Sequence, residues 1–248
     1  MIGGAMLDGL GAYRNFAIVV GAQLLWFILL IAARGLFPKA PRLLAVGALA
    51  GIPLAAIFDI GIGRFGNIFH YAGLEFGGLF VLLNAILSYG TAVATAAAIP
   101  VGAMDDYMGD LRRIALATAS FAFAVAIWLP LDRWPPAAGM FLLGALILIA
   151  TEAFCLAFGA KGYLIQVLEG RWVPLARIWA FAAATGVIYE AVNRYFPLWV
   201  WVNRSPTPAI NLLMIVSLGY FVLFYPVFAG IGLFRGHFGK ISRVDRMT

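Results

Sequence analysis

The stretch Phe141-Leu142-Leu143-Gly144-Ala145-Leu146-Ile147-Leu148-Ile149 is apolar at every position, so a helix made from it has no face to offer to water. A surface helix of a soluble protein keeps a polar stripe opposite its buried one. Outward from this stretch the apolar character runs over about 138–160. That is long enough to cross the hydrocarbon layer, which takes about 20 residues of helix. Six more stretches of the same kind occupy roughly 15–33, 43–62, 77–100, 113–130, 176–196 and 208–234. Each is bounded by charge, proline or glycine, as between Arg34 and Arg42, Asp105 and Arg113, and Asp132 and Pro136. The period-2 alternation of a membrane β-barrel is absent. In lipid the backbone then has only the helix to satisfy its polar groups.

Composition agrees. Of 248 residues, 64% are hydrophobic and only 11% charged, against about a half and a quarter in soluble domains. One cysteine, Cys155, excludes a disulfide scaffold, and the 15% aromatic content excludes intrinsic disorder. No polar linker is long enough to join two domains. The expected fold is all-α: a polytopic membrane protein of seven transmembrane helices forming one transmembrane domain over 1–248.

Basic residues set the orientation. Arg14, Arg64, Arg133, Arg194 and Arg204 fall on one side of such a bundle. Arg34, Lys39, Arg42, Arg112, Arg113, Lys161, Arg171, Arg177, Arg235, Lys240, Arg243 and Arg246 fall on the other. The N-terminus is therefore expected outside and the C-terminus inside, in a bacterial inner (plasma) membrane. The net charge of +6 reads as topology and contact with anionic lipid headgroups, not as nucleic-acid binding. The first apolar stretch is read as a helix and not a cleaved leader, since only Arg14 precedes it while several basic residues follow.

Two segments 131 residues apart look alike. Asp59 follows Phe58 near the outer end of one span, and Glu190 follows Tyr189 near the outer end of another. Eleven residues beyond each acid come His70 and Trp201, inside aromatic loops that lead to another long span. The spans divide as three, one and three, with halves at about 15–100 and 138–234 and a linker helix at about 113–130. An odd linker makes the halves parallel repeats.

The candidate catalytic groups are Asp59, Glu75, Glu190 and the deeper Glu152. A carboxylate inside a span costs roughly 2.5–3.5 kcal/mol on insertion scales and faces the bundle interior or a polar cavity. The competing reading is that Asp59 and Glu190 each bond and orient an outer loop. Candidate ligand-binding residues are Arg64, His70, Tyr71, Asn193, Arg194, Trp199 and Trp201, where the interfacial aromatic belt is the competing account of the tryptophans. No metal or other cofactor is expected. The chain lacks His-x-x-x-His and Glu-x-x-His spacings, and its two histidines, His70 and His237, fall on opposite sides of the bundle. No lysine lies between Lys161 and Lys240 to carry a retinal Schiff base. Asn84 and Asn211 read as interhelical hydrogen bonds. The small-residue runs Gly47–Gly51, Ala92–Ala98 and Ala180–Gly186 let helices approach closely, either within the bundle or along a seam for a partner or a lipid tail.

The three-plus-one-plus-three arrangement, with Asp59, Arg64, Gly66 and Tyr71 in sequence, resembles the integral-membrane lycopene cyclases. Leu74-Glu75 stands where that family has a proline-rich paired-glutamate motif; here there is one glutamate and no proline. The second half has Ser205-Pro206-Thr207-Pro208 with no acid. The resemblance implies an isoprenoid or carotenoid-like ligand, with acid-catalysed cyclisation or isomerisation as the chemistry. Tyr71, Trp199 and Trp201 would stack on developing positive charge. Glu190, Asn193-Arg194-Tyr195-Phe196, Trp199 and Trp201 also resemble a segment of the seven-helix small subunit of membrane copper monooxygenases. That likeness implies the alternative, a non-catalytic structural or accessory subunit of a larger membrane complex. Expected partners are membrane lipids, an isoprenoid ligand, and other membrane subunits or further copies of the chain.

Overall fold

A computed structural model describes residues 9–65, 69–74, 78–102, 104–128, 133, 136–201, 213 and 215–244. The described residues are mostly helical. Helix α1 (Gly9–Ala33) ends where Gly35, at φ +60°, turns left-handed. There the Gly35 and Leu36 amides bond back to the carbonyls of Ala32 and Ile31 at 3.1 and 2.8 Å, which caps the orphaned helix end. A short 3₁₀ turn, Phe37–Lys39, leads into α2 (Ala40–Ala55), with proline in its first turn, where the missing N–H costs nothing. Pro53 lies inside α2, and the helix widens at once into a π-helical segment, Ala56–Phe65.

Strand β1 (Phe69–Tyr71) follows, then α3 (Gly78–Leu83), a second π segment (Asn84–Tyr89) and α4 (Gly90–Ala97) as one continuous rod. Beyond it come β2 (Asp105–Asp106), α5 (Arg112–Trp128), α6 (Pro136–Ala157), β3 (Ala160–Lys161), α7 (Tyr163–Leu168) and α8 (Val173–Tyr195). Strand β4 (Trp199–Trp201), a third π segment (Ile215–Gly219) and α9 (Tyr220–Val244) complete the described chain.

Among the described residues, five helices are long and apolar enough to cross a membrane: Leu10–Ala33, Phe37–Gly61, Gly78–Ala97, Val173–Tyr195 and Ile215–Arg235. They mark an integral membrane protein. The other two stretches expected to span are shorter as described: α5 has 17 residues, and the apolar part of α6 is Phe141–Ala157.

The chain divides into two compact units. The first comprises 1–99, 130–137 and 185–211. In it α2 packs tightly along α4 and the π segment before it. Gly47 and Gly51 make that approach possible, since a Cβ on either would overlap the carbonyl oxygen of Gly90 or Ala85. The glycine run of α2 is thus spent on packing inside the unit. Phe27 and Ile31 of α1 close over Ala94 and Ala98. Strands β1 and β4 pair antiparallel, with Phe69 opposite Trp201, His70 opposite Val200 and Tyr71 opposite Trp199. Alternation buries Phe69 and Tyr71 and exposes His70.

The second unit comprises 100–129, 138–184 and 212–248. Phe181 sits edge-on between Phe224 and Phe228, with centroids 5.2 and 5.3 Å away. Helix α5 buries Ala115, Ala119, Ala122 and Ala126, one helical stripe. Strands β2 and β3 pair antiparallel, Asp105 opposite Lys161 and Asp106 opposite Ala160.

Candidate functional site: three carboxylates built into the helices

Asp59 lies on the first π segment and is completely buried. Its Oδ1 accepts hydrogen bonds from the hydroxyls of Tyr71 at 2.9 Å and Tyr89 at 2.7 Å. Its Oδ2 accepts from the Asn84 side-chain amide at 2.8 Å, and the same amide nitrogen donates to the Tyr71 hydroxyl at 2.8 Å. Asn84 thus makes the interhelical bond read from the sequence. Residues five apart lie about 140° apart around an α-helix. The π segment Asn84–Tyr89 closes that angle, so both its ends reach one carboxylate. Three neutral donors from two elements, β1 and the second π segment, therefore meet on the Asp59 carboxylate.

Glu190, near the end of α8, accepts the indole N–H of both Trp199 and Trp201 at 3.1 Å on the same Oε1. One turn on, Asn193 takes the amides of Leu198 and Trp199 on its Oδ1 at 2.8 and 3.0 Å and donates to the Trp199 carbonyl at 2.9 Å. Together they hold the turn after α8 and present β4 to β1. His70 and Arg194 are exposed. Glu75, Asn211 and the side chain of Arg64 lie outside the described residues.

The helices also tie to one another through α1. Asn15 donates to the Pro197 carbonyl at 3.0 Å, Gln23 to the Ser88 hydroxyl at 2.9 Å, and the Trp26 indole to Thr185 at 3.3 Å. All of these groups belong to the first unit.

Glu152, in the second unit, is buried on α6. Its two oxygens accept the backbone amides of Leu164 at 3.3 Å and Ile165 at 3.1 Å, and the Tyr225 hydroxyl bonds to Oε1. The carboxylate thus satisfies the first amides of α7, which have no intrahelical partner. It stands so close over Gly162 that a Cβ there would overlap it. Replacing Glu152 with leucine leaves the Ile165 amide and the Tyr225 hydroxyl without an acceptor, while the Leu164 amide keeps the Tyr225 hydroxyl oxygen at 3.0 Å. Unpartnered buried donors cost about 1–3 kcal/mol each. The expected loss is several kcal/mol, read as a lower melting temperature in detergent, with Glu152→Gln intermediate.

Of the residues singled out from the sequence, the structure brings Asp59 to Tyr71 and Glu190 to Asn193, Trp199 and Trp201. Glu152 belongs to the other unit. The sequence reading missed Tyr89 and Tyr225 as partners. Among the described residues, no three His, Cys, Asp or Glu side chains gather closely enough to hold a metal ion. No family model matches the chain, and neither a curated protein nor a solved structure does.

Proposed function

We propose that the chain is a non-catalytic structural or accessory subunit of a larger membrane complex, built as a duplicated seven-helix bundle with its N-terminus outside. The observation that carries this reading is the use of the acids. A general acid must reach its substrate. Asp59 is fully buried with three donors on it, Glu190 receives two indoles, and Glu152 receives two backbone amides and a tyrosine. Each ties separate stretches of chain together.

Local structure supports the duplication. A shift of 131 residues, the spacing from Asp59 to Glu190, carries Phe69 onto Val200 and His70 onto Trp201. The ladder pairs Phe69 with Trp201 and His70 with Val200, the reciprocal pattern that a two-fold axis generates. The same shift carries the π segment Asn84–Tyr89 onto 215–220, where the chain is again π-helical over Ile215–Gly219 and Tyr220 corresponds to Tyr89 in sequence.

That duplication also favours the second reading, a protein of lycopene-cyclase-like architecture that holds a long isoprenoid or carotenoid-like molecule. Native mass spectrometry of material extracted in mild detergent separates the two. A stoichiometric assembly with other polypeptides is expected. A lone chain carrying a discrete adduct of isoprenoid mass would overturn the subunit reading in favour of the second.

A further inference from the structure

One end of the second unit is a fixed platform. The β2–β3 ladder joins 105–106 to 160–161, and the Tyr107 amide bonds to the Gly159 carbonyl at 2.8 Å. Arg171 pairs with Asp105 and, at 2.9 Å, with Glu169, which also pairs with Lys161. The Arg171 guanidinium holds the Asp105 carboxyl below its ordinary range, and Lys161 with Arg171 does the same for Glu169. These four side chains neutralise one another.

What remains is amphipathic. The Arg112 guanidinium donates to the Tyr107 carbonyl at 3.0 Å and that of Arg177 to the Pro100 carbonyl at 3.4 Å; no described residue bonds to Arg113, and all three are exposed. Against these three cations the same segments set Asp106 and Asp110. Along the same stretches of chain Leu168 is 87% exposed, Met108 85% and Trp172 63%. Large apolar side chains so exposed fit the boundary between headgroups and acyl chains. A guanidinium matches a phosphate through two parallel N–H bonds.

We propose that this end of the second unit binds an anionic phospholipid, its phosphate on Arg112, Arg113 and Arg177 and its acyl chains along Met108, Leu168 and Trp172. The site goes beyond the subunit reading and stands whether or not other chains join. It uses only the orientation given there, which places these arginines at the anionic inner leaflet.

The test is native mass spectrometry of the purified full chain titrated with phosphatidylglycerol or phosphatidylcholine. The wild type is expected to retain phosphatidylglycerol preferentially. Arg113→Ala with Arg177→Ala should weaken that retention by about tenfold or more, at roughly one kcal/mol per basic residue near the surface. Arg113→Lys, which keeps a charge, should restore part of it. Equal retention of the two lipids by the wild type would overturn the proposal, as would undiminished retention by a double variant whose melting temperature is unchanged.

Discussion

Replacing Gly51 with leucine is expected to leave almost no folded protein in a detergent extract. A Cβ at Gly51 would overlap the Ala85 carbonyl oxygen and lie 2.8 Å from the Gly90 amide nitrogen. Both are backbone atoms of a continuous helical rod, so no side chain can swing aside to make room. Across the seam the contact is reciprocal, because a Cβ at Gly90 would lie 2.9 Å from Ala48 Cα. Overpacking a core that can adjust costs about 1–3 kcal/mol. Here α2 and the rod must separate along their length, which loses Asn84 and Tyr89 as donors to Asp59 as well. The expected cost exceeds about 4–5 kcal/mol, the range reserved for such disruptions. Gly21, with open space around it, supplies the control. Gly21→Ala should be neutral or stabilising by up to about 1 kcal/mol, since glycine is the poorer helix former. Fluorescence-detected size-exclusion yields of the two variants check both expectations.

Asp59→Leu is expected to be the most damaging change at any carboxylate. It removes the acceptor from two tyrosine hydroxyls and one amide in a site with no exposure to solvent. At about 1–3 kcal/mol per orphaned donor, the loss amounts to several kcal/mol. Asp59→Asn should cost less, about 1–3 kcal/mol. Its carbonyl can still serve the two hydroxyls, and the Asn84 amide can turn over to accept from the new NH₂ at the expense of its own bond to Tyr71. Tyr89→Phe, which removes one donor and leaves the others in place, should cost about 1 kcal/mol. Thermal unfolding in a fixed detergent, with leucine, asparagine and phenylalanine variants side by side, reads this order.

The helical fold was legible because lipid imposes it: apolar runs such as Phe141–Ile149 leave the backbone no other way to bond. The tie between Glu190 and its tryptophans was also within reach, since the acid and Trp201 are eleven residues apart across one turn of chain. What escaped the sequence were partners brought in by unusual helix geometry or by distant chain. Tyr89 lies on the wrong side of an α-helix from Asn84 and joins it only because the helix widens there. Tyr225 reaches Glu152 across 73 residues of sequence, and the other partners of Glu152 are backbone amides, which every residue type supplies. The reading of Glu152 as a deep acid followed from its depth alone. A helix start folded back against α6 leaves no mark in residue type, apart from Gly162, whose missing side chain makes space for the carboxylate.

The double-mutant cycle between Asp59 and Tyr89 bears most directly on the acids as ties of the fold. Unfolding free energies of the wild type, Asp59→Leu, Tyr89→Phe and the combined variant give the coupling between the two side chains. A carboxylate that holds the π segments together should show about 1 kcal/mol or more of coupling, with the second substitution costing much less once the first is made. Additive effects, with Asp59→Leu as stable as the wild type, would contradict that role and return Asp59 to the groups free to do chemistry.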